Sequence, residues 1–385
     1  MLFICEVNEH KLYYIVVQED FSMKKISILI ILLCIILVFQ ETVHAKPSIQ
    51  LSADHAVLME SKTGRVIYEK NPHEKRPIAS ITKVMTALLA IEYGSLDDEV
   101  TVSKEATRAI GSSIYLQEGE KISLEDLLYG LMLRSGNDAA IAIAEHIGGS
   151  VEGFAFLMNQ KAMYLGMTNT SFANPHGLDE DNHYSTAYDI ALLMRHAMEN
   201  KTFQKISETK SYLSKNRDYR WFNKNKLLTQ LYPHSTGGKT GYTSKAGRTL
   251  VTTAEKDDVE LIVVTLNAPN DWNDHIQLYE SFFDRIKNRL LDKKGKYEIF
   301  IETDEELSAY IEESVIFPIL EEEIPYLRKK IILSQSPEHE TIGKIVYQIH
   351  DEEVFAVPLY RRDDRSLHSF LSDVIEMLQK LTGFN

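Results

Sequence analysis

"RPIASITKVMTALLA", residues 76–90, decides how this chain is read. Its apolar residues fall on most faces of a helical wheel, so an interior helix is expected from Ile78 to Tyr93, with Pro77 where a helix can begin. Inside that apolar run stand Ser80 and Lys83, three residues apart. On a helix, residues i and i+3 project from one face about one turn apart, so the lysine amine can reach the serine hydroxyl. Burial disfavours the charged form of a lysine and lowers its pKa, turning an ammonium into a usable base. The pair therefore reads as a nucleophile, Ser80, and the group that takes its proton, Lys83. By itself an S-x-x-K match is weak evidence, since most are helix surface decoration.

The chain has 385 residues, 44% of them hydrophobic, enough for a core and for two domains. Met23-Lys24-Lys25 precedes "ISILIILLCIILVF", a 14-residue apolar run followed by "QETVHA". That pattern predicts a signal peptide cleaved after Ala45 rather than an uncleaved anchor, because the run falls short of the ~20 residues of a spanning helix, and a start at Met23 is expected because residues 1–22 fit no signal pattern. Residues 1–45 are thus expected to be a leader, and the protein to be exported. Both cysteines, Cys5 and Cys34, lie in it, which excludes cysteine nucleophiles, disulfides and zinc-thiolate sites from the mature chain. The leader holds 3 Lys/Arg and 5 Asp/Glu of the chain's 42 and 56, leaving 39 and 51 and a formal charge of −12. An acidic protein of this kind is not expected to bind nucleic acid.

"HAVLMESKTGRVIYEKN" (55–71) reads as a β-hairpin around a Lys-Thr-Gly turn. A helical block follows. "SLEDLLYGLMLR" carries an N-cap serine with Asp126 three residues on, "NDAAIAIAEHIGG" ends on glycines, and "GFAFLMNQKAMYLGM" and "TAYDIALLMRHAMEN" continue the run. Strands are expected at "GGKTGYT", "GRTLVTTAE" and "VELIVVTLNA", then one helix through "DWNDHIQLYESFFDRIKNRLL". The catalytic domain is placed at 46–295. Short alternating strands such as "KYEIFIE" and "GKIVYQIH" mark a small β-rich domain at 296–365, with "EEEIP" a solvated acidic edge or loop. In 366–385, Leu367, Phe370, Leu371, Val374, Ile375, Leu378 and Leu381 form one helical stripe, preceded by Arg361, Arg362 and Arg365. Such a stripe suits either packing on the β domain or anchoring at an anionic membrane surface.

Two further triplets join Ser80-x-x-Lys83: Ser135-Gly136-Asn137 between two helices and Lys239-Thr240-Gly241 entering a strand. S-x-x-K, S-x-N and K-T-G in this order resemble the motif set of serine penicillin-binding proteins and serine β-lactamases. A second K-T-G, in "SKTGR" at 61–65, precedes Ser80 and sits in a hairpin turn. Each motif residue has a physical task. Ser135 can hydrogen-bond Lys83 and relay a proton to the leaving group, and Asn137 can hold a substrate amide. Lys239, with Thr240, suits a substrate carboxylate, and Gly241 lets substrate lie along the strand as an added edge. Backbone N–H groups of Ser80 and Tyr242 would form the oxyanion hole. Arg248 in "KAGRT" is open between holding a carboxylate and a structural salt bridge. His176 and His183 read as turn or core groups with satisfied hydrogen bonds; with no H-E-x-x-H spacing anywhere, no metal or cofactor is expected.

The wider stretches "GSSIYLQEGEKISLEDLLYGLMLRSGNDAAIAIAEHIGGS", "MTNTSFANPHGL" and "STGGKTGYTSKAGRTLV" resemble the low-molecular-weight penicillin-binding proteins that act as D-alanyl-D-alanine carboxypeptidases, over about residues 50–290. Within that family the resemblance is strongest to the sporulation-associated branch of spore-forming bacilli. It implies an α/β (α+β) fold of the penicilloyl-serine transferase type, an antiparallel sheet with a helical region, followed by a β-rich domain. It also implies removal of the terminal D-alanine from peptidoglycan stem pentapeptides through an acyl-enzyme on Ser80, trapped by β-lactam antibiotics, outside the cytoplasmic membrane. The same residues suit an endopeptidase or transpeptidase. A β-lactamase is disfavoured because no Glu with Asn four residues later lies between Asn137 and Lys239. A wall-binding protein with a dead site is disfavoured because every motif position is filled.

Overall fold

The computed structural model describes residues 7–8, 11–12, 49–300, 306–334 and 341–361, and divides the chain into two compact units, 1–50 and 51–385. In the first unit Val7–Asn8 pairs with Lys11–Leu12. The signal-like stretch and the 366–385 stripe lie outside the described residues.

The second unit is built on a five-stranded antiparallel sheet. Strands β1 (His55–Glu60) and β2 (Val66–Lys70) form the expected hairpin; β3 (Ser235–Thr243), β4 (Gly247–Lys256) and β5 (Val259–Leu266) arrive about 165 residues later. The order is β2-β1-β5-β4-β3, so β3 is an edge strand. Alternation along the strands separates two faces. Val251, Ile262 and Val264 join the main apolar core beneath the helices, whereas Thr252 and Thr265 turn to the other face and hydrogen-bond His275.

Helix α1 (Lys83–Tyr93) runs through the middle of that core, with every residue from Lys83 to Ala90 buried. Around it pack α2 (Leu124–Tyr129), α3 (Asn137–Gly148), α4 (Val151–Tyr164), α5 (Ala187–Glu199) and α6 (Lys201–Ser207). Their ends follow local chemistry: Ser123 caps α2 by accepting from Asp126 N at 3.1 Å, and Gly149, with φ +73°, closes α3. The helical expectation for Ile78–Thr82 is corrected. Ala79–Thr82 is a 3₁₀ turn, because Ala79 at φ +49° cannot enter an α-helix from its N-terminal side.

On the opposite face lies α7 (Asp271–Phe283), tied in through His275 and Tyr279. It does not run to Leu291 as expected. The chain breaks after Phe283 and becomes β6 (Ile286–Asp292), which pairs with β9 (Val315–Leu320). The β-rich region therefore begins at 286 rather than 296, since inter-strand pairing takes these residues from the helix. Strands β7 (Gly295–Phe300), β8 (Glu306–Ile311), β10 (Leu327–Leu333), β11 (Thr341–Ile349) and β12 (Glu352–Arg361) make a second antiparallel sheet in the order β7-β8-β12-β11-β10.

"EEEIP" is a largely exposed turn, as expected, but two of its glutamates hold partners. In the 3₁₀ turn Glu321–Tyr326, Glu323 pairs with Arg65 and accepts from Leu320 N, while Glu322 pairs with Arg285. Arg65, from the β1–β2 turn, also donates to Pro318 O at 3.0 Å and lies 5.5 Å over the Phe317 ring. The Lys-Thr-Gly that precedes Ser80 thus presents the arginine that ties the first sheet to β9 and the turn after it. Removing Arg65 would leave Glu323 largely buried without its counter-charge. Arg65→Ala is expected to cost about 2–4 kcal/mol by urea unfolding, and Lys62→Ala in the same turn less than about 0.5 kcal/mol, because the Lys62 side chain is exposed.

Candidate active site

The site forms where the turn before α1, the turn before α3 and edge strand β3 meet. Lys83, first residue of α1, is fully buried, and its Nζ lies 3.0 Å from Ser80 Oγ, 2.7 Å from Asn137 Oδ1 and 2.6 Å from the His176 carbonyl. The last two oxygens only accept, because Asn137 Nδ2 is committed as a donor to Ile110 O at 2.6 Å. A neutral amine has two N–H bonds and one lone pair. If the bonds serve the two carbonyls, the lone pair is left for the Ser80 hydroxyl. Burial, then the charges of Lys239 and Lys224, hold the Lys83 pKa well below the usual lysine range; Asp138 opposes them.

Ser135 ends a π-type turn (Gly130–Arg134) with φ +64°, which throws its side chain toward the cleft. The expected Ser135–Lys83 hydrogen bond is absent: three other oxygens already surround the Lys83 amine. The buried Ser135 Oγ lacks any partner among the described residues. Asn137 opens α3, and Asp138 beside it pins the "GSSIYL" loop by accepting from Ser113 Oγ at 2.5 Å and from Ile114 N and Leu116 N at 3.1 Å.

Strand β3 forms the other wall. A Cβ on Gly241 would sit 2.9 Å from Ser80 N and 2.4 Å from Thr249 Oγ1, so only glycine lets the strand lie against the serine turn. Lys239 is buried beneath it, with Nζ donating to Thr240 O at 2.8 Å. Burial and the nearby Lys224 charge push its pKa down to about 7. The side chain of Tyr242 is exposed at the cleft edge. Arg248 makes the structural salt bridge, one of the two options the sequence left open, donating from Nε (3.0 Å) and Nη2 (2.6 Å) to the buried Asp271, with Trp272 5.5 Å below its guanidinium; it also lines the cleft.

The resulting cleft, about 390 Å³, holds Ser80, Ser135, Thr240 and Arg248 together and adds Ser112, Lys224, Lys226 and Trp272. Ser112 lies in the "GSSIYL" loop, which the family resemblance implies at the cleft edge; sequence reading missed Lys224, Lys226, Trp272 and Asp138. Lys224 has a faint signal: in "WFNKNK", buried Trp221, Asn223 and Asn225 alternate with exposed Phe222, Lys224 and Lys226, and Lys224 Nζ donates to Ser112 Oγ at 3.0 Å. The His176 carbonyl has none, since any residue supplies a backbone oxygen. Both histidines are hydrogen-bonded as expected, His176 through Nδ1 to Leu178 N and His183 through both ring nitrogens. Among the described residues no group of His, Cys, Asp or Glu could hold a metal ion.

Comparison with known proteins agrees with this geometry. Residues 40–270 match the peptidase S11 family model, described as D-alanyl-D-alanine carboxypeptidase. The chain is 32% identical over 352 residues to the D-alanyl-D-alanine carboxypeptidase DacF of Bacillus subtilis, covering 86% of this chain and 90% of that protein. Among solved structures it is similar to the D-alanyl-D-alanine carboxypeptidase DacD of Francisella tularensis (TM-score 0.69, 28% identity, 84% of this chain and 96% of that one). It is also similar to penicillin binding protein 5 of Haemophilus influenzae (TM-score 0.70, 26% identity, 81% and 96%). The fold is that of the penicilloyl-serine transferases, and the chain belongs to the peptidase S11 family of D-alanyl-D-alanine carboxypeptidases.

Proposed function

We propose that this D-alanyl-D-alanine carboxypeptidase uses Ser80 as its nucleophile and Lys83 as its general base on peptidoglycan stem pentapeptides. The observation that carries the assignment is the Lys83 amine, 3.0 Å from Ser80 Oγ and bounded elsewhere by two carbonyl acceptors. Ser80 Oγ attacks the carbonyl between the last two D-alanines as its proton passes to Lys83. The developing oxyanion is received by the N–H groups of Ser80 and Tyr242. Ser135, whose hydroxyl has no partner among the described residues, hands the proton to the departing amine, releasing D-alanine and leaving an ester on Ser80. Water then hydrolyses the ester; a β-lactam, whose leaving group stays attached, remains on the serine. Lys239 and Thr240, with Arg248 beside them, receive the terminal carboxylate; Asn137, whose Nδ2 has a second N–H beyond the one given to Ile110 O, donates it to a substrate amide carbonyl while its Oδ1 stays on Lys83, and Gly241 leaves the strand edge open to the peptide.

Cutting terminal D-alanines limits crosslinking of the wall, and the protein acts on the outer side of the cytoplasmic membrane. The resemblance to the sporulation-associated branch extends the proposal to cortex peptidoglycan and to the space between forespore and mother cell. The apolar stripe of 366–385 with Arg361, Arg362 and Arg365 supports a membrane-surface anchor, a reading that rests on sequence pattern. Among the described residues no single helix is long and apolar enough to cross a membrane.

D-alanine release from an acyl-L-Lys-D-Ala-D-Ala peptide is expected from the protein and to fall at least about 10³-fold in Ser80→Ala. Undiminished release by the variant would remove Ser80 from the mechanism. The pH profile of kcat/KM should rise with loss of the Lys83 proton and fall as pH passes about 7, where free Lys239 loses the charge that holds the carboxylate. A substrate ending in a carboxamide should lack the alkaline limb. Protein truncated before Ser366 is expected no longer to sediment with anionic vesicles that carry the full chain down.

A further inference from the structure

The residue immediately before Ser80 is in a conformation that alanine avoids. Ala79 has φ +49°, in the left-handed region where a Cβ crowds its own carbonyl, and such a residue persists only where its surroundings over-determine it. Three contacts do so. The Ala79 carbonyl accepts from Thr82 Oγ1 at 2.8 Å. It sits against Gly177, where a Cβ would come within 2.0 Å of that oxygen, so the seat exists only because residue 177 is glycine. One residue earlier, the Ile78 carbonyl accepts from Thr249 Oγ1 at 2.9 Å, which ties the turn to strand β4.

The Thr82 hydroxyl is itself oriented. His183 Nε2 lies 2.8 Å from Thr82 Oγ1, and His183 Nδ1 is 3.1 Å from Ala173 N. An amide N–H can only donate, so Nδ1 is the bare nitrogen and Nε2 carries the proton. His183 therefore donates to Thr82, and the Thr82 hydrogen is left for the Ala79 carbonyl. Both side chains are buried, and the Phe172 ring stands edge-on to the imidazole at 5.8 Å. Burial and the Lys83 charge push the His183 pKa down to about 4, so one neutral tautomer persists through the neutral range. Neither residue lines the cleft.

We propose that Thr82 and His183 are positioning residues, the buried His183–Thr82–Ala79 relay holding Ala79 left-handed and thereby aiming the Ser80 hydroxyl at Lys83 and the Ser80 N–H into the cleft. The relay rests on Ser80 being the nucleophile. It explains why the S-x-x-K turn has threonine in its third place: the hydroxyl points back toward the chain before the serine, away from the substrate. A pair that only filled the core would stabilise the fold without bearing on the angle of attack.

The test is the rate constant for acylation of Ser80 by a fluorescent penicillin, measured on the full chain beside its thermal unfolding midpoint. Thr82→Val removes the hydroxyl at nearly constant shape and is expected to slow acylation at least about tenfold in protein that remains folded. Thr82→Ser keeps the relay and should retain at least about half the rate. Glycine adopts positive φ without strain, so adding Ala79→Gly to Thr82→Val should recover most of the lost rate while leaving the unfolding midpoint low. Acylation by Thr82→Val at the original rate, or a loss that Ala79→Gly does not repair, would overturn the relay. Absence of acylation in the unsubstituted protein would instead overturn the assignment of Ser80.

Discussion

The structure depends on one buried amine. Taking the Lys83 side chain out of water is costly for an ammonium and much less so for a neutral amine, so the core that surrounds α1 is also what lowers the lysine's pKa. The three oxygens around it come from three separate parts of the chain: Ser80 in the preceding turn, Asn137 at the start of α3, and His176 in the segment before α5. Loss of any one would leave the amine with an unmet hydrogen-bonding direction in a dry site. Helical packing and catalytic geometry are therefore one constraint here.

A second requirement, close approach, arises on the sheet side. Strand β3 must lie near enough to the serine turn for its edge to serve the substrate, and Gly241 and Gly177 are the two positions where a side chain would collide with that turn. Lys239 belongs to the same strand, and burial with the Lys224 charge pushes its pKa down to about 7. Lys83 and Lys239 thus share one low-dielectric region, in which the charge of Lys239 adds to burial in lowering the Lys83 pKa.

The β-rich region is joined to this core by Arg65 and Arg285 gripping the Glu321–Tyr326 turn. The sequence held the ingredients without revealing the partnership. A run of three glutamates reads as solvent-facing, and "SKTGR" reads as a spare motif, because nothing local says that residues 258 positions apart will meet. The same limit misplaced the end of α7. "FFDRIKNRLL" has helical composition, and only the pairing of Ile286–Asp292 with Val315–Leu320 makes it a strand.

What the sequence determined by itself was the chemistry: the three motifs, their order, the helices and strands that carry them, and the fold family they imply. These were legible because nucleophile, base and carboxylate-binding groups must be particular side chains, and because capping serines, glycines and periodic apolar residues act over a few positions. The tertiary structure decided which oxygens surround Lys83, that Ser135 has no partner among the described residues, that Arg248 rests on Asp271 and Trp272, and that Ala79 is left-handed. Those features arise from backbone oxygens and from contacts between residues tens to hundreds of positions apart, which leave no periodic or local trace in the order of amino acids.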